Sequence, residues 1–181
     1  MRRTARILLL LLLFMETNSE IRAQKPADRI VVAYFSATGT TARAAREVAR
    51  ITGGTLHAIE PADPYTAADL DWHDRSSRSS VEMASPQARP TIRSGTDELP
   101  ACDVLFIGYP IWWDQAPRII QTFLESHEWN GTRLIPFATS GGSGVANSVA
   151  ALKRAYPGWN WEEGLLLNRI NGKIILERLG R

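Results

Sequence analysis

Apolar residues along this chain follow two rhythms. Short, nearly continuous apolar runs occur at RIVVAYF (29–35), TLHAIE (55–60), DVLFIGYP (103–110), TRLIPFATS (132–140) and EEGLLLN (162–168). Runs of this length, bounded by polar or glycine-rich segments, predict strands buried on both faces. Between them the spacing becomes helical. In TARAAREVARIT (41–52), Ala42, Ala45, Val48 and Ala49 share one face, and the glycine pair at 53–54 supplies a stop. PRIIQTFLES (117–126) opens with proline and turns Ile120, Phe123 and Leu124 inward. VANSVAALKRAY (145–156) and KIILERLG (173–180) complete the helices. The alternation predicts an α/β fold: a three-layer, doubly wound, five-stranded parallel sheet with helices on both faces. The exception is 61–100, a long polar insert in which a helix fits somewhere within 66–84. A connection of that length reads as a lid or binding loop.

Composition narrows the picture. Of 181 residues, 44% are apolar and 22% charged, as in ordinary globular domains. The formal charge is +2, but the first 24 residues carry four arginines and two glutamates, and the remainder balances at 17 basic and 17 acidic residues. A neutral body without charge runs argues against nucleic acid as a partner. The single cysteine, Cys102, makes neither an internal disulfide nor a cysteine-based metal site. It reads as a small strand-edge residue.

MRRTAR followed by ILLLLLLFM has the basic and apolar regions of a secretory signal peptide, too short for an ordinary membrane span. The reading is therefore a leader at 1–24, a domain at 25–181 and export to the periplasm or medium. The alternative is a start at Met15 and a cytoplasmic protein.

In open parallel sheets, ligands bind beyond the carboxyl ends of the strands. Three segments fall there. SATGTT (36–41) ends the first strand at a helix start, where unpaired N–H groups and the helix dipole attract an anion. The lysine of a nucleotide P-loop and the three glycines of a dinucleotide loop are both missing. Its hydroxyls serve equally well as helix caps. YPIWWDQAP (109–117) carries two adjacent tryptophans, and an exposed indole is a platform for a flat ring. TSGGSG (139–144) is a glycine-rich turn whose amides can face a planar ligand.

In this order along one rim, the three segments resemble the flavodoxin family. The likeness runs from Arg29 to the C-terminus. It is nearest the branch whose third loop reads YPIWW…AP, followed by TFLE and later TSGGSG. The resemblance implies strand order 2-1-3-4-5 and FMN as cofactor. Carried over by position, Ser36, Ala37, Thr38, Gly39, Thr40 and Thr41 bind the phosphate. Pro110, Ile111, Trp112 and Trp113 flank the ring, and Ser140, Gly141, Gly142, Ser143 and Gly144 line its other side or edge. It assigns no catalytic side chain and no metal. Three features depart from the family pattern: TSGGSG has no aromatic residue, Asp114 stands where a glycine is common near the ring, and the body is neutral where flavodoxins are typically acidic, which suits docking on basic redox partners. The implied function is FMN-dependent electron transfer with a redox partner protein. The alternatives are an NAD(P)H-dependent reductase of quinones or other small acceptors, and a flavin-free binding module. His73 and Tyr65 in the insert lie within reach of a substrate over an open ring face, although a solvated surface position is the simpler reading of each.

Overall fold

In the computed structural model, residues 28–95 and 99–180 are described. The leader and the Met15 alternative lie outside them. The first apolar run forms β1 (Ile30–Tyr34), whose Val31, Val32 and Ala33 are buried on both faces of the sheet. The chain then enters α1 (Thr40–Thr52), which ends at Gly53 in the left-handed conformation, φ 73°, its N–H donating to the Ala49 carbonyl. That is the glycine stop the sequence predicts.

Next come β2 (Thr55–Ala58), the short α2 (Arg78–Ala84) inside the insert, and β3 (Val104–Pro110). They are followed by α3 (Arg118–Glu125), β4 (Arg133–Thr139), α4 (Ala146–Ala155), β5 (Asn160–Trp161), β6 (Leu165–Leu166) and α5 (Gly172–Glu177). All strands pair in parallel, in the order β2-β1-β3-β4-β5, with β6 also on β4. The predicted α/β sheet and its strand order are therefore present.

The fifth strand is split. Within β4, the Leu134 and Ala138 carbonyls accept from Glu162 and Leu167, so alternate residues of β4 face this edge. Pro136 lies midway between them and has no N–H to offer that side. Pairing is consequently confined to 133–134 with β5 and 137–138 with β6.

Two apolar layers enclose the sheet. Leu105, Ile107, Ile120, Phe123 and Leu124 belong to one. Val32, Val48, Phe106, Phe137 and Ile175 belong to the other. Gly108 of β3 faces Phe137 of β4, and a Cβ there would come within 2.1 Å of the Phe137 ring. At that spot the sheet needs an absent side chain.

The insert is built differently. Only α2 is regular, and it occupies the end of the 66–84 stretch in which a helix fits. Elsewhere side chains substitute for a backbone ladder. Asp69 accepts from the Thr66 N–H and hydroxyl, Asp71 from the His73 N–H, and Asp74 from the Ser76 N–H and hydroxyl. Such local bonds fix turns without repeating structure. Among the described residues no helix is long and apolar enough to cross a membrane, and no group of His, Cys, Asp and Glu is arranged to hold a metal.

Candidate functional site

The carboxyl ends of β1, β3 and β4 meet around a cleft of about 630 Å³. Ala37 and Thr38 line it from the first loop, Pro110 to Trp113 from the second, and Ser140 to Ser143 from the third. Three segments chosen from sequence thus face one space. The volume lies within the usual range for small-ligand pockets, roughly 300–1,000 Å³.

The loop from 35 to 39 carries the chain from β1 into α1. Gly39 takes φ 87°, and its N–H donates to Ser36 Oγ at 3.1 Å. No side chain caps the start of α1, despite four hydroxyl residues in the loop and first turn. By contrast, Ser77 caps α2 and Asn171 caps α5. The capping explanation of the hydroxyl cluster therefore fails here. An uncapped helix start presents N–H donors and positive potential to the cleft.

Not every hydroxyl faces that way. Thr41 is buried, and its Oγ1 is 2.8 Å from Thr139 Oγ1, stitching the first loop to the end of β4. Thr40 lines a neighbouring groove with Arg43 and Asn168. Of the six residues of the first loop chosen from sequence, Ala37 and Thr38 line the cleft, and Ser36 and Thr41 bond within its walls. Gly144 lies outside the lining.

The two tryptophans diverge. Trp112 is half-buried, edge-on to Phe35 and Tyr65 at centroid distances of 5.7 and 5.4 Å. Trp113 is 45% exposed. Between Trp112 and Gln115 the backbone closes a two-residue turn, with paired N–H···O bonds of 3.0 and 2.9 Å. Trp113 (φ 44°) and Asp114 (φ 63°) occupy its centre. Such a turn ordinarily uses Asn-Gly or Gly-Gly, because both central residues are left-handed. Non-glycine residues there cost roughly 1–2 kcal/mol each. The surroundings hold the strain in place. Asn147 Nδ2 donates to Asp114 Oδ2 at 2.7 Å, and with Ser143 it holds the Asp114 carboxyl below its ordinary pKa. These bonds tie the second loop to the third. The third loop is fixed in turn by Asn168, whose side-chain amide accepts from Ser140 N–H and donates to Ser140 O, both at 2.8 Å.

The insert contributes what the motifs did not indicate. Leu70, Trp72 and Ser79 complete the cleft lining. The insert is seated by Tyr65, whose ring packs on Phe35 and Trp112, with the Arg78 guanidinium 4.0 Å over it. The Tyr65 hydroxyl donates to Glu82, and burial with that carboxylate raises its pKa. Tyr65 is thus a packing residue rather than one poised over a substrate.

Arg118 supplies the second anchor. It is 6% exposed, and Nη2 donates to Met83 O at 2.9 Å while Nη1 reaches Gln115 and Gln121. A cation at the closing carbonyls of α2 is favourably placed. The sequence offered one signal for the role of the insert: Trp72 is a large apolar residue in an otherwise polar coil.

The match to known families settles the ancestry of this arrangement. The family model described as Flavodoxin matches residues 29–179. The chain belongs to the flavodoxin family. Among solved structures, a candidate flavoprotein from Bacteroides eggerthii is 56% identical to this flavodoxin-family chain, covering 84% of it and 96% of its own length at TM-score 0.79. A second, from Bacteroides uniformis, is 51% identical, covering 84% and 98% of the two chains at the same TM-score, 0.79. A flavoprotein of Lactobacillus acidophilus, solved in complex with FMN, shares the fold at 19% identity and TM-score 0.62, covering 86% of this chain and 100% of its own. No curated protein matches the chain.

Proposed function

We propose that the cleft holds FMN and that the protein is an FMN-dependent electron-transfer protein. The observation that carries this reading is the uncapped start of α1 opening into a cleft lined by tryptophans. The anion position and the ring position are contiguous there. The chemistry of the residues fits. The amides of Thr38, Thr40 and Thr41 and the Thr38 hydroxyl would hold the phosphate, a dianion bound without a lysine. Ile111, Trp112 and Trp113 offer apolar and aromatic surface to the ring, and the Ser140–Ser143 turn offers backbone donors to its edge. FMN, when bound, supplies the redox chemistry. The chain supplies orientation, exclusion of water and local charge. Asp114 puts a fixed negative charge next to Trp113 at the cleft rim, which disfavours further negative charge nearby.

The relatives support this reading. Two proteins more than half identical to this chain are candidate flavoproteins, and a more distant protein of the same fold was solved with FMN.

Reconstitution tests it. Purified protein dialysed against FMN is expected to retain a stoichiometric yellow chromophore, and colourless protein would overturn the reading. Gly39→Val forces a β-branched residue into φ 87°. It is expected to weaken FMN about tenfold or more while leaving riboflavin nearly unchanged. Equal losses for both ligands would remove the phosphate role from this loop.

A further inference from the structure

A second hollow of about 480 Å³ adjoins the cleft. It shares Trp72 and Trp113 with the cleft and adds His73, Arg75, Ser80 and Met83. Trp72 is 66% exposed and Trp113 45%. Two large, accessible indoles at one hollow are a costly use of apolar surface unless a flat partner covers them. The His73 ring extends that surface, with its centroid 3.5 Å from that of Trp72.

Arg75 brings a formal charge to the lining of the hollow, and the carboxylates nearby stand outside that lining. These carboxylates accept from other donors: Asp69 from Thr66, Asp71 from the His73 N–H, Asp74 from Ser76, Glu82 from Arg78 and Tyr65, and Asp114, next to Trp113, from Asn147 and Ser143. Arg75 lines the hollow and has no carboxylate partner among the described residues. No acidic side chain lines it. An aromatic surface with one uncommitted guanidinium matches a flat aromatic body bearing one negative group.

We infer that this hollow binds a small planar aromatic anion, an aromatic sulfonate or carboxylate, beside the cleft across the shared tryptophans. The inference builds on the FMN reading, because the site matters for redox only if a flavin lies in the cleft. It moves the chain from carriage between proteins toward exchange with a small molecule.

The test uses FMN-loaded protein and equilibrium dialysis with three probes: 1,4-naphthoquinone-2-sulfonate, uncharged 1,4-naphthoquinone and NADPH. The sulfonate is expected to bind about tenfold more tightly than the uncharged ring, and Arg75→Gln to erase that difference without loss of bound FMN. His73→Ala is expected to weaken both naphthoquinones by a similar, smaller factor. Equal binding of the two naphthoquinones, an Arg75→Gln variant that keeps the preference, or displacement of FMN by the sulfonate would each overturn the inference. So would Arg75-dependent binding of NADPH alone, which would assign the hollow to a dinucleotide. Failure of the FMN reading itself registers separately, as protein that never takes up the chromophore.

Discussion

The six tryptophans of this chain divide into two groups of three with opposite uses. Trp129, Trp159 and Trp161 gather at the end of the sheet where β4 begins, and Trp161 pairs with Leu134 in the ladder. Trp129 is 5% exposed and donates its indole N–H to Leu124 O at 2.7 Å. Trp159 stacks on Tyr156 with centroids 4.3 Å apart. Trp161 donates to Tyr156 O. Each indole N–H named here has a carbonyl partner, and the rings fill space between α3, α4 and the sheet edge. At the other end, Trp72, Trp112 and Trp113 line the cleft. Two of them, Trp72 and Trp113, are exposed, and Trp113 sits on a strained turn. Trp129 and Trp161 are tied down by their indole N–H bonds, whereas Trp72 and Trp113 stay accessible at the cleft.

The comparison breaks most sharply under truncation of the structural group. Trp129→Ala removes a buried ring and strands the Leu124 carbonyl, and it should lower unfolding free energy by about 3–5 kcal/mol. Denaturant titration reads this, and affinity for FMN in the fraction that stays folded should hardly change. Arg118→Met comes next. It keeps the apolar stem but removes the donors that join α2, the tryptophan turn and α3, at a cost of about 2 kcal/mol. The expected signature is early protease cleavage within the insert, before the sheet melts. Loss of the sheet and the insert together would show that the two regions unfold as one unit.

Trp113→Ala should act the other way. With nearly half of the ring exposed, its removal is expected to leave stability within about 0.5 kcal/mol. FMN affinity should fall roughly tenfold through lost ring contact. A stability loss comparable to that of Trp129→Ala would erase the distinction between the two groups.

This contrast also shows what was legible in the sequence. The sheet was legible because burial on both faces imposes continuous apolar runs, and Val31 to Ala33 or Leu105 to Ile107 admit few other readings. Thr38, Trp113 and the Ser140 turn were legible as site candidates because strand ends in a parallel sheet share one rim. The fate of Thr41 was not. A hydroxyl at a helix start serves an anion or a neighbour equally well in one dimension, and only the approach of Thr139, 98 residues away, decides it. The insert was least legible. Its order comes from Asp69, Asp71 and Asp74 bonding to nearby amides, which leaves no periodicity, and its attachment depends on Arg118, a charged residue that burial statistics would place at the surface. The break between β5 and β6 follows from Pro136, whose effect falls on a strand distant in sequence.

Asp114 provides the finest test, because its charge and its geometry can be separated. Asp114→Asn keeps an acceptor for Asn147 and suits a left-handed backbone at least as well, so the turn should survive. Only the carboxylate charge is lost. Its pKa is lowered in the folded protein by Asn147 and then Ser143. The stabilisation linked to that shift is therefore present above the unfolded carboxylate value, near 3.9, and disappears as pH falls through the lower folded value. Because the group is exposed, its effect on stability should be small, and the two proteins should melt together once pH drops below that window. The larger consequence is expected at the cleft. Removing a fixed negative charge beside Trp113 should make bound FMN easier to reduce, which a potentiometric titration reads as a higher midpoint potential. An unchanged potential, with FMN bound normally, would mean that Asp114 serves the geometry of the tryptophan turn alone.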